Sequence, residues 1–183
     1  MKTVAIVQAR MGSTRFPGKM MEVINGHTLI EIVLSRLSKS KKIDQVVVAT
    51  SKNSNNYKLI KFLQEKNYFV YQGSEKNVLQ RYYKAAHEVN ADTIVRVTGD
   101  CPLTDAKLVD LCIEKYQSSN VDYLSNVEPT SFPDGLDVEV FSFKSLSDAN
   151  RLAQSDFDRE HVTPFIRNSK ANSIASITSP LDY

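Results

Sequence analysis

Arg10, Arg15 and Lys19 fall close together in the stretch Gln8-Ala9-Arg10-Met11-Gly12-Ser13-Thr14-Arg15-Phe16-Pro17-Gly18-Lys19, which follows directly on the apolar run Val4-Ala5-Ile6-Val7. A strand that empties into such a loop sets backbone N–H groups and fixed positive charge at the carboxyl edge of a sheet, where open α/β folds bind nucleotides. The chemistry expected of it is polyphosphate binding. Two familiar phosphate motifs are excluded by counting. Five residues, not the four of a Walker loop, separate Gly12 from Gly18-Lys19, and Met20 stands where a magnesium-binding hydroxyl belongs. The dinucleotide pattern G-x-G-x-x-G fails as well, because Ser13 and Thr14 follow Gly12.

A second candidate is Asp100, in Arg96-Val97-Thr98-Gly99-Asp100-Cys101-Pro102-Leu103. The segment 92–97 reads as a central strand, so Asp100 stands at the carboxyl edge that carries the loop. Magnesium commonly takes one or two carboxylates together with substrate phosphates, which makes Asp100 the best single metal-ligand candidate in the chain. Further along, Leu136-Asp137-Val138-Glu139-Val140-Phe141 alternates, so that Asp137 and Glu139 share one face of a strand. Adjacent carboxylates repel unless a cation, a hydroxyl-rich ligand or water relieves them, leaving sugar, metal or plain solvent as their partner. Arg159 and His161 are candidate contacts to an anionic sugar or to a partner subunit. Arg81 stands beside the apolar face of its helix and could reach a nucleotide. Cys101 and Cys112 have neither C-x-x-C nor Cys/His metal spacing, and no partner suggests a nucleophilic thiol.

These residues need elements to hold them. Ile30, Val33, Leu34 and Leu37 recur at helical spacing, which predicts a helix over 28–39, and the run 43–50 predicts a strand covered on both faces. A helix around Leu59, Ile60, Phe62 and Leu63, a strand at 68–71 stopping at Gly73, and a helix over 77–90 follow. After the central strand come a helix at 105–118 and a strand at 121–125. The Asp137 strand is next, then helices around 149–153 and from 156, the latter interrupted at Pro164. A last strand spans 173–178. Alternating strands and helices call for a doubly wound, mostly parallel sheet.

The loop Gln8–Arg15 with Pro17-Gly18-Lys19 resembles the signature loop of the sugar-acid cytidylyltransferases. Adding the Arg96–Leu103 block, Asp134-Gly135-Leu136-Asp137-Val138-Glu139-Val140-Phe141 and Glu160-His161-Val162-Thr163-Pro164, the chain is most similar to the spore-coat polysaccharide biosynthesis protein F group of that superfamily. The resemblance implies a three-layer α/β/α Rossmann-like fold of the nucleotide-diphospho-sugar transferase (GT-A-like) kind. It implies transfer of CMP from CTP to an acidic or related sugar, releasing pyrophosphate, with magnesium or manganese on Asp100. By the same resemblance Gln8, Ala9, Arg10, Gly12, Ser13, Arg15, Lys19 and Arg81 contact the nucleotide and Arg10, Lys19 and Asp100 take the catalytic roles, which leaves Asp137, Glu139, Arg159 and His161 as the candidate acceptor contacts. Residues 1–183 are expected to form one nucleotidyltransferase-like domain lacking the group's further carboxyl-terminal segment, to be weakly active or inactive for that reason, and to associate as a homodimer.

The balance of 23 basic against 21 acidic residues, net +2, offers no basic stripe for nucleic acid and no polybasic membrane patch. The two cysteines and the direct entry into a strand point to a reduced, cytoplasmic protein. Two other readings stay open: a glycosyltransferase or nucleotidyltransferase of different base preference on the same fold, and a silent nucleotide-binding module.

Overall fold

Alternation along β1 (Thr3–Gln8) sets the layering, because Ala5 and Val7 enter one apolar core while Val4 and Ile6 enter another on the opposite face. The computed structural model describes residues 1–13 and 15–180; Thr14, part of the loop motif, lies outside the described residues. After the loop, a small antiparallel hairpin, β2 (Val23–Ile24) and β3 (His27–Thr28), leads into α1 (Leu29–Leu37). The helix starts where it does because Thr28 and Glu31 form a reciprocal capping box, satisfying N–H groups that a helix start leaves unpaired. Then come β4 (Gln45–Ser51), α2 (Tyr57–Glu65), β5 (Phe69–Gly73), α3 (Val78–Glu88), β6 (Thr93–Thr98) and α4 (Ala106–Ser118). The rest is β7 (Tyr123–Ser125), β8 (Glu139–Ser142), α5 (Phe143–Leu152), α6 (Asp156–His161), α7 (Pro164–Asn168) and β9 (Ile174–Ser176).

The main sheet has seven strands in the order β5-β4-β1-β6-β8-β7-β9, with α1, α2 and α4 packed on one face and α3, α5 and α7 on the other. Every strand runs the same way except β8, which is antiparallel to both β6 and β7. That reversal matters for the site. The first residue of β8, Glu139, pairs with Arg96 of β6, so the start of β8 reaches the edge where the other strands end.

Three local expectations change. The strand carrying Asp137 and Glu139 begins only at Glu139, since the side chain of Asn126 takes the N–H of Val138 (2.7 Å) and donates to the carbonyl of Leu136 (2.9 Å), diverting that stretch from the sheet ladder. Asp137 therefore lies ahead of the strand, exposed, while Glu139 is buried. The helix expected around 149–153 begins at Phe143, capped by Ser142 directly out of β8. Pro164 does not interrupt a helix but opens α7 at a first-turn position, where its missing N–H costs nothing.

Candidate active site

The phosphate-type loop is pinned from below by side chains of the β4–α2 connection. Asn56, fully buried, accepts the N–H of Met11 through Oδ1 (2.8 Å) and donates through Nδ2 to Ser51 Oγ (2.7 Å). Ser51 in turn donates to Glu75 Oε2 (3.0 Å), and the other Glu75 oxygen lies 3.5 Å from Arg10 Nη1. This chain of contacts runs from a buried amide to a cation at the cleft. No local pattern announces it, for Ser51–Asn56 reads only as a polar loop.

Above the loop opens a cleft of about 790 Å³. Gln8, Ala9, Arg10, Ser13, Arg15, Lys19, Arg81 and Asp100 all line it, as do Arg159 and His161 from α6. Gly12 lies just behind, where an added Cβ would stand 3.6 Å from Glu75 Oε1. Arg81 is 2% exposed, its guanidinium donating to the carbonyl of Ser74 while its Nε has no hydrogen-bond partner among the described residues. Burial pulls its pKa down, Tyr82 opposing, Arg10 adding and Glu75 opposing. Its approach depends on Gly73, where a Cβ would come within 2.9 Å of Arg81 Cγ.

Lys19 places its ammonium on the Asp100 carboxylate. Burial pushes that carboxyl up, but hydrogen bonds from Lys19 and Thr98 and the Lys19 charge outweigh it and hold it below the usual aspartate value. The ends of β1 and β6 approach closely here; a Cβ on Gly99 would meet Gln8 O at 3.0 Å and Ala9 Cβ at 3.1 Å. Asp100 is thus an ionised group, its side chain 39% exposed at the cleft. Among the described residues no group of three or more His, Cys, Asp or Glu could hold a metal ion. A magnesium ion usually keeps waters and substrate phosphates beside one or two carboxylates, and Asp100 fits that single-carboxylate role.

A smaller cavity of about 240 Å³ adjoins, lined by Asp137, Glu139, Thr163 and Arg167, with Arg96 and His161 shared between it and the cleft. Glu139 is not a free carboxylate facing a ligand. It pairs with the Arg96 guanidinium and accepts hydrogen bonds from Tyr123 Oη (2.6 Å) and Thr163 Oγ1 (2.6 Å). Burial raises its pKa, yet Arg96, Thr163 and Tyr123 together hold it below the ordinary glutamate value. Burial opposes the Arg96 charge, and Glu139 more than restores it. Arg96 also approaches Gln8 Oε1 at 3.5 Å. Asp137 is raised by burial and by the neighbouring Asp134 and Glu139, with Arg96 opposing.

Between α6 and α7 the backbone at Val162 takes φ 73° and ψ −56°. For a β-branched residue this is an outlier costing on the order of 1–3 kcal/mol. The N–H of Thr163 bonds to the carbonyl of His161 (2.9 Å) and closes a three-residue turn that separates two helices otherwise poised to run on. His161 is left exposed, its ring 4.5 Å from that of Phe157, while Val162 and Thr163 turn into the interior. Arg159 donates to the carbonyl of Ala153 (2.7 Å).

A family model described as cytidylyltransferase matches residues 4–179, nearly the whole chain. The chain belongs to the cytidylyltransferase family. Cytidylyltransferases are nucleotidyltransferases. The spore coat polysaccharide biosynthesis protein SpsF of Bacillus subtilis is 36% identical over 91% of this chain and 70% of its own length. A 3-deoxy-manno-octulosonate cytidylyltransferase of Hydrogenovibrio crunogenus is 31% identical over 84% of this chain and 63% of its own length. A solved cytidylyltransferase from Leptospira borgpetersenii superposes with a TM-score of 0.94 at 33% identity, covering all of this chain and 78% of that one. No helix among the described residues is long and apolar enough to cross a membrane.

Proposed function

We propose that this cytidylyltransferase moves CMP from CTP to a hydroxyl of an acidic or related sugar for surface polysaccharide or glycan biosynthesis. The observation that carries the reading is the shared boundary between two cavities. The larger is ringed by Arg10, Arg15, Lys19 and Arg81, and the smaller is hydrogen-bonding in character and meets it at Arg96 and His161. A triphosphate fits the first and a polyhydroxylated acceptor the second, with the α-phosphorus at the seam.

In this reading the acceptor oxygen attacks the α-phosphorus, the bond from that phosphorus to the bridging oxygen breaks, pyrophosphate leaves and the hydroxyl proton passes to solvent. Catalysis then rests on positioning and charge neutralisation. Arg10, Arg15 and Lys19 hold the β- and γ-phosphates and the departing pyrophosphate, helped by N–H groups near Gly12 and Ser13. Arg81 and the main chain at Gln8 and Ala9 face the nucleoside side. Asp100 would hold a magnesium or manganese ion, which when bound would supply charge neutralisation to the triphosphate. Asp137, Arg159 and His161 contact the acceptor. The reading includes a homodimer, for which sedimentation is the measurement; Leu152 and Phe157, exposed on consecutive helices, are apolar surface that a second copy could cover.

The test is pyrophosphate release with each of the four nucleoside triphosphates against a panel of acidic sugars. Release with CTP and one of the sugars is expected. Equal release with UTP or ATP would shift the assignment to another nucleotidyltransferase, and CTP binding without release from any sugar would leave a nucleotide-binding module.

A further inference from the structure

Arg96 and His161 stand between the two cavities, come from different parts of the chain, and are both tied to Glu139. The tie to Arg96 is direct. The tie to His161 runs through Thr163, whose hydroxyl donates to Glu139 and whose N–H closes the turn on the carbonyl of His161. Val162, at the centre of that turn, holds a backbone conformation that a β-branched residue avoids when free. Such a conformation persists only where its surroundings over-determine it. Here the surroundings are the buried Val162 side chain, its N–H on Asp158 O (3.0 Å), and the Thr163–Glu139 bond.

A buried ion pair is weak evidence for stability, because removing two charges from water offsets most of their attraction. An apolar pair would serve the sheet as well. What the ionised Glu139 provides that an apolar residue could not is a fixed direction for three donors: the Arg96 guanidinium, the Tyr123 hydroxyl and the Thr163 hydroxyl.

We propose that Glu139 is a positioning residue for the acceptor side of the reaction, setting the Arg96 guanidinium directly and the His161 imidazole through Thr163 and the turn at Val162. It rests on the transfer reading above, and its test separates the two. The chain has three histidines, so their imidazole resonances are assignable by single substitutions. His161 lies against the Phe157 ring, so its Cε1–H carries a ring-current displacement that reports where the imidazole sits.

Thr163→Val removes the hydroxyl and keeps the shape. We expect the His161 displacement to collapse, the His27 and His87 resonances to stay, and Thr163→Ser to restore the wild-type signal. With whichever sugar the pyrophosphate panel identifies, Glu139→Gln and Thr163→Val should raise the acceptor KM roughly ten- to hundredfold while CTP affinity holds within about twofold. Should Glu139→Gln fold poorly, Thr163→Val and its serine rescue decide. An unmoved His161 signal in Thr163→Val, three histidines shifting together, or an acceptor KM that moves no more than that of CTP each overturns the proposal. If no sugar supports release, the transfer reading fails, and the His161 signal still decides whether Glu139 and Thr163 place the imidazole.

Discussion

The Lys19 ammonium rests on the Asp100 carboxylate, joining the loop after β1 to the end of β6 across the floor of the cleft. A cation expected to meet phosphate is therefore already paired, and it must be shared when a triphosphate arrives. Lys19→Ala should weaken CTP binding by about 1.5–3 kcal/mol, the value of a charge-assisted contact. Its side chain supports no apolar core, so the variant should fold, its thermal transition lowered only by the loss of one part-exposed ion pair with Asp100. The Asp100 carboxyl should rise, since burial remains while the opposing ammonium is gone. Calorimetric titration with CTP checks this, and an unchanged affinity removes Lys19 from the nucleotide site.

Asp100→Asn keeps the shape and one oxygen but removes the charge that a divalent cation requires. CTP affinity of the wild type should increase with added magnesium, and that increase should vanish in the variant, while affinity measured in EDTA changes little. A variant that retains the wild-type magnesium response places the metal on other residues.

Asn56→Ala addresses the support of the loop. The substitution strands the part-buried N–H of Met11 and takes from the buried Ser51 hydroxyl the donor it accepts from, which should cost about 1–3 kcal/mol of stability. Beyond that loss, the folded variant should bind CTP more weakly at a temperature well below its transition, because the loop that carries Arg10 is no longer tied down. Equal CTP affinity in the folded variant would show that the loop holds its shape without Asn56.

The loop, the inner strands and Asp100 were legible because their signals are local: apolar runs, glycines at a turn, a carboxylate directly after a strand. Arg81 was legible in part, through the helical spacing of Val78, Leu79 and Tyr82 beside it. The Asn56–Ser51–Glu75–Arg10 chain and the Glu139 cluster were not, because their deciding contacts, Ser51 and Arg10 to Glu75 and Arg96 to Glu139, join residues far apart in the sequence that strand order brings together. Arg96 meets Glu139 across 43 residues, and only because β8 runs against its neighbours. Nothing in the alternation of 136–141 announces that reversal, nor that Asn126 would divert Asp137 from the ladder. The turn at Val162 was hidden for the opposite reason: local preference argues against it, and tertiary contacts impose it.

The last prediction follows from the depressed pKa of Glu139. Its carboxyl is held below the ordinary glutamate value of 4.5, so in acid the unfolded chain takes up the proton first. The stabilisation from the ionised group is complete above that ordinary value and is lost as pH falls through the lower, folded one. Glu139→Gln, less stable than wild type near pH 7 because Arg96 is left buried without its partner, should close the gap below pH 4.5. Asp137 acts with the opposite sign. Its carboxyl is raised, so what it contributes is present in acid and lost as pH rises through its folded value. The comparison is therefore best made in an Asp137→Asn background, which removes that opposing contribution. Urea midpoints, free of the screening that guanidinium brings, measured from pH 7 down to about pH 3, should show the two curves converging. A gap that stays constant across that range would mean that Glu139 is protonated alike in the folded and unfolded chains, and the Arg96–Glu139 ion pair would then have no part in the acid stability of the fold.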